Sequence, residues 1–455
     1  MQMTDMIIKG GAIVTMDDAL GELAGDILVR GGRIERVAPQ IDAPDGAEII
    51  DATGMIVMPG FVNAHAHLWQ TGLRGIAADW AIAEYLRAMH AGLATFFRPA
   101  DIHVANLAGA INQLYCGTTT VVDWSHNNPT PEHTDAAVQG LDESGIRALF
   151  LHGSPKPDPK PGQKHFSEIP MPRSEIERLR KGRFSSSGSK GELLTLGLAI
   201  LGPGFGVYDV FREDAKLAHE LDMIASMHVS GPMLAPGGFQ RLDGEGLLDR
   251  RFNIVHGNSM DDDTLELLCR RGASFTVTAE IEMQMSFGRP LTGRLRKLGA
   301  PVTIGSDVES GVSGDMFTVT RMTLQGQRFV DALDVIEATG KGPASVSTTC
   351  REALRWATID GARMAGLEQE TGSLTPGKQA DIVLLSATDP NLFPVVDPVA
   401  SIVLQAGPGN VDTVIVGGNV RKRGGKLVGD QLEACQAKLA MSSLRIMEKF
   451  RAAAH

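Results

Sequence analysis

Two histidines separated by a single residue are the strongest chemical signal in the sequence. His65 and His67 lie in the segment MPGFVNAHAHL, where an apolar run ends. In an extended strand, residues i and i+2 point to the same face, so the two imidazoles would project side by side. Neutral imidazole binds zinc and iron, and the pair therefore offers two metal ligands from one strand. An HxH pair alone also occurs in proteins without a metal, so a metal site is predicted only if other parts of the sequence supply further ligands.

Three further residues that can bind a metal or move a proton lie at the ends of predicted strands. His228 lies near the end of MIASMHV, His256 near the end of FNIVHG, and Asp307 ends PVTIGSD. If the strand ends meet, His65, His67, His228 and Asp307 can surround one ion. Three imidazoles and one carboxylate form a zinc-type or ferrous-type site with an open position for water.

The same residues predict the chemistry of the site. A divalent ion would acidify the bound water, which then attacks as hydroxide. Asp307 can hold the metal and also accept the proton of the water, and His256 can polarise the substrate or orient the hydroxide. We expect one divalent ion per chain, with Zn²⁺ favoured and Fe²⁺ as the alternative.

A strand and helix alternation from residue 59 to residue 370 predicts the framework for these side chains. Eight apolar runs are interpreted as strands, namely GFVNAHAH, TTTVVDW, RALFLHG, LGLAILG, MIASMHV, FNIVHG, ASFTVTA and PVTIGSD. Eight such units close into a (β/α)8 TIM barrel, in which catalytic groups lie at the C-terminal ends of the strands. The candidate histidines and the aspartate all lie at such ends.

The two ends of the chain carry a different pattern. Residues 1–58 and 371–430 contain short alternating segments broken by glycine pairs, which is typical of small antiparallel strands. Neither stretch is long enough for a core of its own, so we predict one small β-sandwich domain built from both ends. Residues 431–455 are predicted to form an amphipathic C-terminal helix. The predicted fold class is therefore α/β, a barrel at 59–370 with a composite β-sandwich domain.

Composition narrows the class of partner. The chain has 455 residues and a net charge of −11, and the absence of a basic field argues against a nucleic-acid partner. Its four cysteines are far apart and form no zinc-type spacing. The N-terminus carries acids where a signal peptide carries bases, and no apolar run approaches a membrane span. We expect a cytoplasmic, small-molecule enzyme that forms a homo-oligomer, a dimer or a tetramer.

Several residues near the predicted site have two interpretations. The segment 154–192 is rich in Pro, Ser, Gly and Lys; a solvated insertion with one short helix at SEIERLRKG is favoured, and a lid over the site is the alternative. Arg74 is interpreted as structural. Five other side chains either line the pocket or belong to the core: His126, His152, Trp69, Gln70 and Trp80.

The sequence resembles the amidohydrolase superfamily over almost its whole length. The resemblance is carried by PGFVNAHAHLWQTGLRG, SMHV, VHGNS, TIGSD and ALRWATIDGARMAGLEQETGSLTPGKQADIVLL. It is strongest to the branch of cytosine, guanine and S-adenosylhomocysteine deaminases and triazine chlorohydrolases. The resemblance implies one divalent metal held by His65, His67, His228 and Asp307, and it matches His256 to the strand-six histidine of the family.

Two departures from that branch bear on the reaction. One is the segment after strand seven, which is TVTAEIEMQMSFGRP where the branch often has a CPxSN-like sequence, and this argues against a simple purine or pyrimidine deaminase. The other concerns proton transfer. The deaminases of that branch usually carry a glutamate three residues after the strand-five histidine, which moves protons to the leaving group, and here that residue is Gly231. We predict that Glu280, at the end of the strand-seven run, replaces it; a structural salt bridge or strand-end hydrogen bond is the alternative. The fourth strand ends LGLAILGPG without the lysine that bridges two metals in other branches, so one metal is expected.

The predicted function is a mononuclear metal-dependent hydrolase acting on non-peptide carbon–nitrogen bonds. Its substrate would be small and cyclic or heteroaromatic, and the reaction a deamination or an amide-type hydrolysis. The alternatives are hydrolytic dechlorination, displacement of another non-amine leaving group, or a lyase-type reaction on the same metal. A non-catalytic scaffold is disfavoured, because all four metal ligands are present.

Overall fold

The computed structural model describes residues 5–185 and 192–453. The strands are β1 (Met6–Val14), β2 (Glu22–Arg30), β3 (Arg33–Ala38), β4 (Glu48–Asp51), β5 (Met55–Pro59), β6 (Phe61–Ala66), β7 (Thr118–Ser125), β8 (Arg147–Gly153), β9 (Leu194–Ala199), β10 (Ala225–Val229), β11 (Phe252–His256), β12 (Ser274–Val277), β13 (Val302–Ile304), β14 (Ile382–Ser386), β15 (Val411–Val416), β16 (Asn419–Arg423) and β17 (Lys426–Leu427).

The α-helices are α1 (Ile82–Tyr85), α2 (Pro99–Tyr115), α3 (Pro131–Ser144), α4 (Arg173–Lys181), α5 (Gly202–Phe205), α6 (Tyr208–Leu221), α7 (Gly238–Gly244), α8 (Asp262–Arg270), α9 (Ala279–Gln284), α10 (Thr292–Lys297), α11 (Met316–Thr339), α12 (Cys350–Trp356), α13 (Ile359–Met364), α14 (Pro398–Leu404) and α15 (Gln431–Ala453). A π-helical turn, Leu86–His90, continues α1. Within the described ranges, no helix is both long enough and apolar enough to cross a bilayer.

Strands β6 to β13 form the barrel that the sequence predicts. They lie side by side in chain order and run parallel, and each corresponds to one of the eight predicted strands. The seam between β6 and the end of β13 is closed by backbone hydrogen bonds. His67 N donates to Asp307 O at 2.8 Å, and Asp307 N donates to His65 O at 2.9 Å. The residues that close the barrel are therefore three of the four predicted metal ligands.

The other nine strands form one mixed sheet made from both ends of the chain. Strand β5 from the N-terminal part pairs antiparallel with β14 from the C-terminal part, so that Val57 lies opposite Leu384. Ile8, Ile27, Leu384 and other apolar side chains form its core. The prediction that both ends build one small β-domain is confirmed, and the domain boundaries themselves stay a prediction.

A buried ion pair joins the barrel to this sheet. Arg147, the first residue of β8, donates to both carboxylate oxygens of Asp381 at 2.7 and 3.1 Å. Asp381, which directly precedes β14, also accepts hydrogen bonds from Thr371 Oγ1 at 2.9 Å and from Gly417 N at 2.7 Å. Both side chains are 1% exposed. A charge-assisted, bidentate pair of this kind fixes the relative position of the two elements.

Two outer segments pack on the barrel. The predicted short helix is α4, whose Ile176 and Leu179 are buried in the main core. Residues 157–164 of the same insertion are exposed, so the insertion is solvated there and is anchored to the barrel by one face of α4. Residues 186–191 of that segment lie outside the described ranges. The predicted C-terminal helix is α15. Its Ser442 and Arg445 donate to Asp101 of α2 at 2.7 and 2.5 Å, which docks the helix on the barrel.

Candidate active site

The two histidines of the HxH pair lie at the C-terminal end of β6. All residues of this strand are buried, and the imidazoles of His65 and His67 meet edge to face with ring centroids 4.7 Å apart. The ring of His67 is held by its Nδ1–H, which donates to the carbonyl oxygen of Trp124 at 2.7 Å. A carbonyl can only accept, so in the neutral ring the Nε2 of His67 carries a free lone pair.

His228 and Asp307 lie beside these two rings. The Nε2 atoms of His228 and His65 are 3.2 Å apart. Asp307 Oδ1 is 3.3 Å from His67 Nε2 and 3.6 Å from His65 Nε2. All four side chains are buried. One carboxylate oxygen and three imidazoles from β6, β10 and the end of β13 therefore converge on one point.

The protonation of the cluster suits a cation. Burial lowers the pKa of His65 to about 4 and holds the pKa of His228 well below its ordinary value, so both imidazoles are neutral near pH 7. Burial alone would raise the pKa of Asp307, but its close contacts with the His65 and His67 rings outweigh burial and keep that pKa well below its usual range. Neutral imidazoles and an ionised carboxylate are the donor states that divalent metals require.

The spacing of the donor atoms fits a single ion. Ligand bonds of about 2.1 Å in a tetrahedral site place the donor atoms about 3.4 Å from one another. The observed separations of 3.2, 3.3 and 3.6 Å lie around that value. The residues therefore fit one divalent metal.

Comparison with known proteins decides the family. Residues 56–421 match the amidohydrolase family, which is more than half of the chain. The chain belongs to the amidohydrolase family. It is 29% identical over 434 residues to a 5-methylthioadenosine/S-adenosylhomocysteine deaminase of Symbiobacterium thermophilum, a match that covers 92% of this chain and 93% of that protein.

Solved structures share the fold of this amidohydrolase. A zinc-bound adenosine deaminase from Xanthomonas campestris superposes with a TM-score of 0.82 at 23% identity, covering 98% of this chain and 99% of the other. The atrazine chlorohydrolase of Arthrobacter aurescens TC1, complexed with zinc, superposes with a TM-score of 0.84 at 21% identity, covering 96% and 100%. The predicted family, hydrolase class and barrel fold are confirmed, and the family is metal-dependent.

His256 lies beside the cluster and is held by a second carboxylate. Its Nε2 is 3.8 Å from Asp307 Oδ2, and its Nδ1 is 3.3 Å from Glu282 Oε1 and 3.0 Å from Thr278 Oγ1. Glu282 is 2% exposed, and Thr278 N and Asn258 Nδ2 donate to its two oxygens at 2.8 and 3.0 Å. The buried glutamate therefore fixes the orientation of the His256 ring.

The predicted catalytic residue Glu280 is not brought to this cluster. Its carboxylate accepts hydrogen bonds from Ser313 N at 3.2 Å and from Ser313 Oγ at 3.0 Å, which matches the alternative structural interpretation. The reason is local. The strand prediction extended to Ala279, whereas β12 ends at Val277 and α9 begins at Ala279. Residues two apart in a helix point about 200° apart, so Glu282 faces His256 and Glu280 faces Ser313.

Two residues of the site have a strained backbone conformation. His256 has a φ of 69° and Asp307 a φ of 63°, and both are non-glycine residues in the left-handed region. Such a conformation costs free energy and persists only where the surrounding structure imposes it. Here it directs both side chains to the same edge of the barrel.

A cavity of about 40 Å³ lies next to the cluster, with room for a few water molecules. Its polar lining comprises the site residues His67, His228, His256 and Asp307, together with Tyr85, His90, His126, Lys156 and Ser230. His126 Nε2 is 3.3 Å from His90 Nδ1, and burial holds the pKa of both rings well below the ordinary value. The cavity wall is otherwise apolar, with Phe205, Phe287 and Met285 among its residues.

Most of the other candidates have structural partners. His152 Nε2 contacts Thr134 Oγ1 at 3.3 Å, and Gln70 donates to the hydroxyl of Tyr85 at 2.6 Å. Arg74 pairs with the buried Glu309, as the structural interpretation predicts. Trp69 is buried in the core and packs against Phe97. Of the five ambiguous side chains, the one that lines the cavity is His126.

Proposed function

We propose that the protein is a mononuclear metal-dependent deaminase, which replaces an amino group on a ring carbon of a small heteroaromatic substrate by hydrolysis. The observation that carries the proposal is the convergence of three imidazole nitrogens and one carboxylate oxygen at metal-ligand spacing, beside His256. His65, His67, His228 and Asp307 would hold the ion. When bound, a divalent ion supplies a water of lowered pKa and a positive charge next to the reacting carbon.

Asp307 is placed to serve both the metal site and proton transfer. Its Oδ1 faces His65 and His67, whereas its Oδ2 faces His256 Nε2 at 3.8 Å. The second oxygen is therefore directed toward the cavity side of the cluster, where it can accept the proton of the attacking water. We assign this general-base role to Asp307.

His256 is assigned to the substrate. Its Nδ1 side is occupied by Glu282 and Thr278, so Nε2 is the nitrogen that faces the cavity. The Glu282 carboxylate stabilises a proton on Nδ1, and it would equally stabilise the charged imidazolium that can donate from Nε2 to a ring nitrogen or to the departing amine. This pair would take over proton delivery, since position 231 is a glycine.

The choice of an amino leaving group rests partly on relatives. The deaminases of Symbiobacterium thermophilum and of Methanothermobacter thermautotrophicus, the latter a 5'-deoxyadenosine deaminase at 27% identity, cover 92% and 93% of this chain. Both relatives are named as deaminases of adenosine derivatives. An aminated heteroaromatic ring is therefore the substrate class we propose.

A second candidate is displacement of a leaving group that needs no proton, such as a halide. The observation in its favour is Gly231, which removes the carboxylate that usually protonates an amine in this branch. Halide departs as a stable anion, so the missing acid would cost such a reaction little.

The remaining attributes are proposed together. We propose Zn²⁺ as the metal, supported by the zinc-bound structural neighbours and the three-histidine site. We propose a cytoplasmic location, in line with the four free cysteines and the acidic net charge. We propose a homo-oligomer, a dimer or a tetramer, supported by exposed apolar side chains on α11 such as Phe329, Leu333 and Ile336.

The test is a leaving-group screen on zinc-loaded protein. Aminopurines, aminopyrimidines, aminotriazines and pterins are assayed for ammonia, and chlorotriazines for chloride, with metal content measured in the same preparations. Ammonia formed in equal amount to the hydroxylated ring supports the deaminase. Chloride without ammonia supports the second candidate. No product from any compound, at one zinc per chain, would contradict both.

A further inference from the structure

The cavity contains a buried ammonium group that the proposed reaction does not use. Lys156 follows β8 by three residues, in the segment predicted to be a surface loop, yet it is 8% exposed and lines the same cavity as His256 and Asp307. Its Nζ lies 5.3 Å from the ring centroid of Trp124 and 4.5 Å from that of Phe205. The Trp124 ring in turn packs on His228 at 4.4 Å between centroids, so the ammonium lies one side chain away from a metal ligand.

This ammonium has no acceptor in the part of the chain that the structure describes. Its side chain forms no hydrogen bond and no ion pair with any residue in the ranges 5–185 and 192–453. The other deeply buried basic side chains differ in this respect. Arg147 is paired with Asp381, and Lys422 Nζ donates to the carbonyl oxygen of Tyr115 at 2.8 Å. The aromatic faces attract the charge of Lys156 but accept none of its three N–H bonds conventionally.

Among the described residues, no carboxylate forms an ion pair with Lys156. Burial keeps His90 and His126 neutral near pH 7, and the carboxylate of Glu282 is occupied by His256, Thr278 and Asn258. Asp307 attracts the ammonium from a distance, but its oxygens face the histidines. Burial lowers the pKa of Lys156 to about 8, so the group is still mostly charged at pH 7.

A buried charge without a partner destabilises a protein unless a ligand supplies the partner. We propose that Lys156 binds an anionic oxygen of the substrate, a carboxylate or a ring oxyanion, so that the substrates are negatively charged heteroaromatic amines. This inference rests on the proposed function, since it concerns the same cavity. It makes Lys156 a residue that determines specificity.

The first test measures binding of a matched pair of probes to zinc-loaded protein by calorimetry. Nicotinate and nicotinamide share the ring and differ in a carboxylate against a carboxamide. We expect nicotinate to bind about tenfold more tightly or better, since a charge-assisted hydrogen bond is roughly twice as strong as a neutral one. Lys156→Met should remove the preference and Lys156→Arg should retain it. Lys160→Met, in the exposed part of the same loop, is the matched control.

Equal binding of the two probes, a preference that survives in Lys156→Met, or no binding of nicotinate to the wild-type protein would overturn the proposal. Zinc content of each variant is measured alongside, and a variant with less than one ion per chain is reloaded before binding is compared. These outcomes can be distinguished from those of the leaving-group screen. A preference for nicotinate that depends on Lys156, without ammonia release from any compound, would contradict the proposed reaction and support the anion site. Ammonia release without such a preference would support the reaction and contradict the anion site.

A second test needs no ligand. If the ammonium lacks a partner in the free protein, Lys156→Met removes an unfavourable buried charge, and the thermal midpoint should be equal to or higher than that of wild-type protein. Lys160→Met should leave the midpoint unchanged. A clear decrease for Lys156→Met alone would mean that the protein itself pairs the ammonium, which contradicts the proposal.

Discussion

Two buried clusters of charged side chains in this amidohydrolase have opposite characters. In the first, Arg147 and Asp381 join the barrel to the mixed sheet, and the carboxylate accepts four hydrogen bonds. In the second, Asp307 Oδ1 lies 3.3 Å from His67 Nε2, and the Nε2 atoms of His65 and His228 lie 3.2 Å apart, so acceptor atoms converge on one point. Burial alone does not distinguish a functional cluster from a structural one. The two kinds of cluster differ in whether their polar atoms are paired within the protein, because a cluster with unpaired acceptor atoms is completed by a ligand.

The largest effect is expected from breaking the incomplete cluster. His67→Ala removes one ligand nitrogen, so zinc should fall to less than about a tenth of an ion per chain and activity to background, with the fold retained. Metal analysis by mass spectrometry and circular dichroism check both statements. His152 is a buried strand-end histidine outside the cluster, so the His152→Ala variant should bind as much zinc as the wild-type protein. A full metal complement in His67→Ala would place the metal elsewhere.

Breaking the complete cluster should affect stability instead. Asp381→Asn leaves the Arg147 guanidinium buried without its counter-charge, which should lower the free energy of unfolding by about 3–5 kcal/mol. Zinc per folded chain should not change. Urea denaturation measures the effect, and Asp334→Asn, which breaks an exposed pair with Arg289, should cost less than about 1 kcal/mol. Similar losses in the two variants would contradict the structural role of the buried pair.

Lowering the pH should destabilise the cluster of metal ligands in the metal-free protein without any mutation. Burial lowers the pKa of His65 to about 4, against about 6.5 in an unfolded chain. Below pH 6.5 the unfolded state therefore binds more protons, so the metal-free protein loses stability as the pH falls from about 6.5 to about 4. This group accounts for about 3 kcal/mol.

Denaturation of metal-free protein between pH 7 and pH 4 tests this expectation, and zinc-loaded protein should release its metal over the same window, because protons compete for the ligands. His103→Gln, which removes a partly exposed histidine near the start of α2, should show the same dependence of stability on pH as the wild-type protein. A metal-free stability that does not change across the window would mean that His65 is not buried in its neutral form.

The smallest effect concerns the two glutamates of α9. Glu282→Gln should keep the zinc and lower turnover by roughly 10- to 100-fold, the usual loss when a histidine loses its orienting carboxylate. Glu280→Gln should alter turnover by less than about threefold if its contacts with Ser313 are structural. A larger loss for Glu280→Gln would restore that residue to the mechanism.

The features that the sequence predicts well are local. The eight barrel strands follow from apolar runs, and the HxH pair follows from the two-residue period of a strand. Ligands on different strands could be combined because parallel strands in a barrel share one edge. The family resemblance added the same four residues independently.

The features that the sequence does not predict depend on where an element ends or on distant contacts. Glu282 was missed because a helix starting at Ala279 changes the period from 2 to 3.6, and no strong stop signal marks the end of β12. Arg147 and Asp381 are 234 positions apart, and no local pattern pairs them. Lys156 was missed because a proline-rich composition predicts a surface loop, whereas the chain turns this side chain inward.

The size of the cavity beside His256, about 40 Å³, has a consequence for the rate at which ligands bind. An aromatic ring can enter only after the lining residues separate, so the association rate constant is reduced by the fraction of time that the cavity is open. The apparent dissociation constant is weakened by the same factor. In a rapid-mixing experiment the observed binding rate should therefore level off at high ligand concentration, and the plateau reports the rate constant of opening.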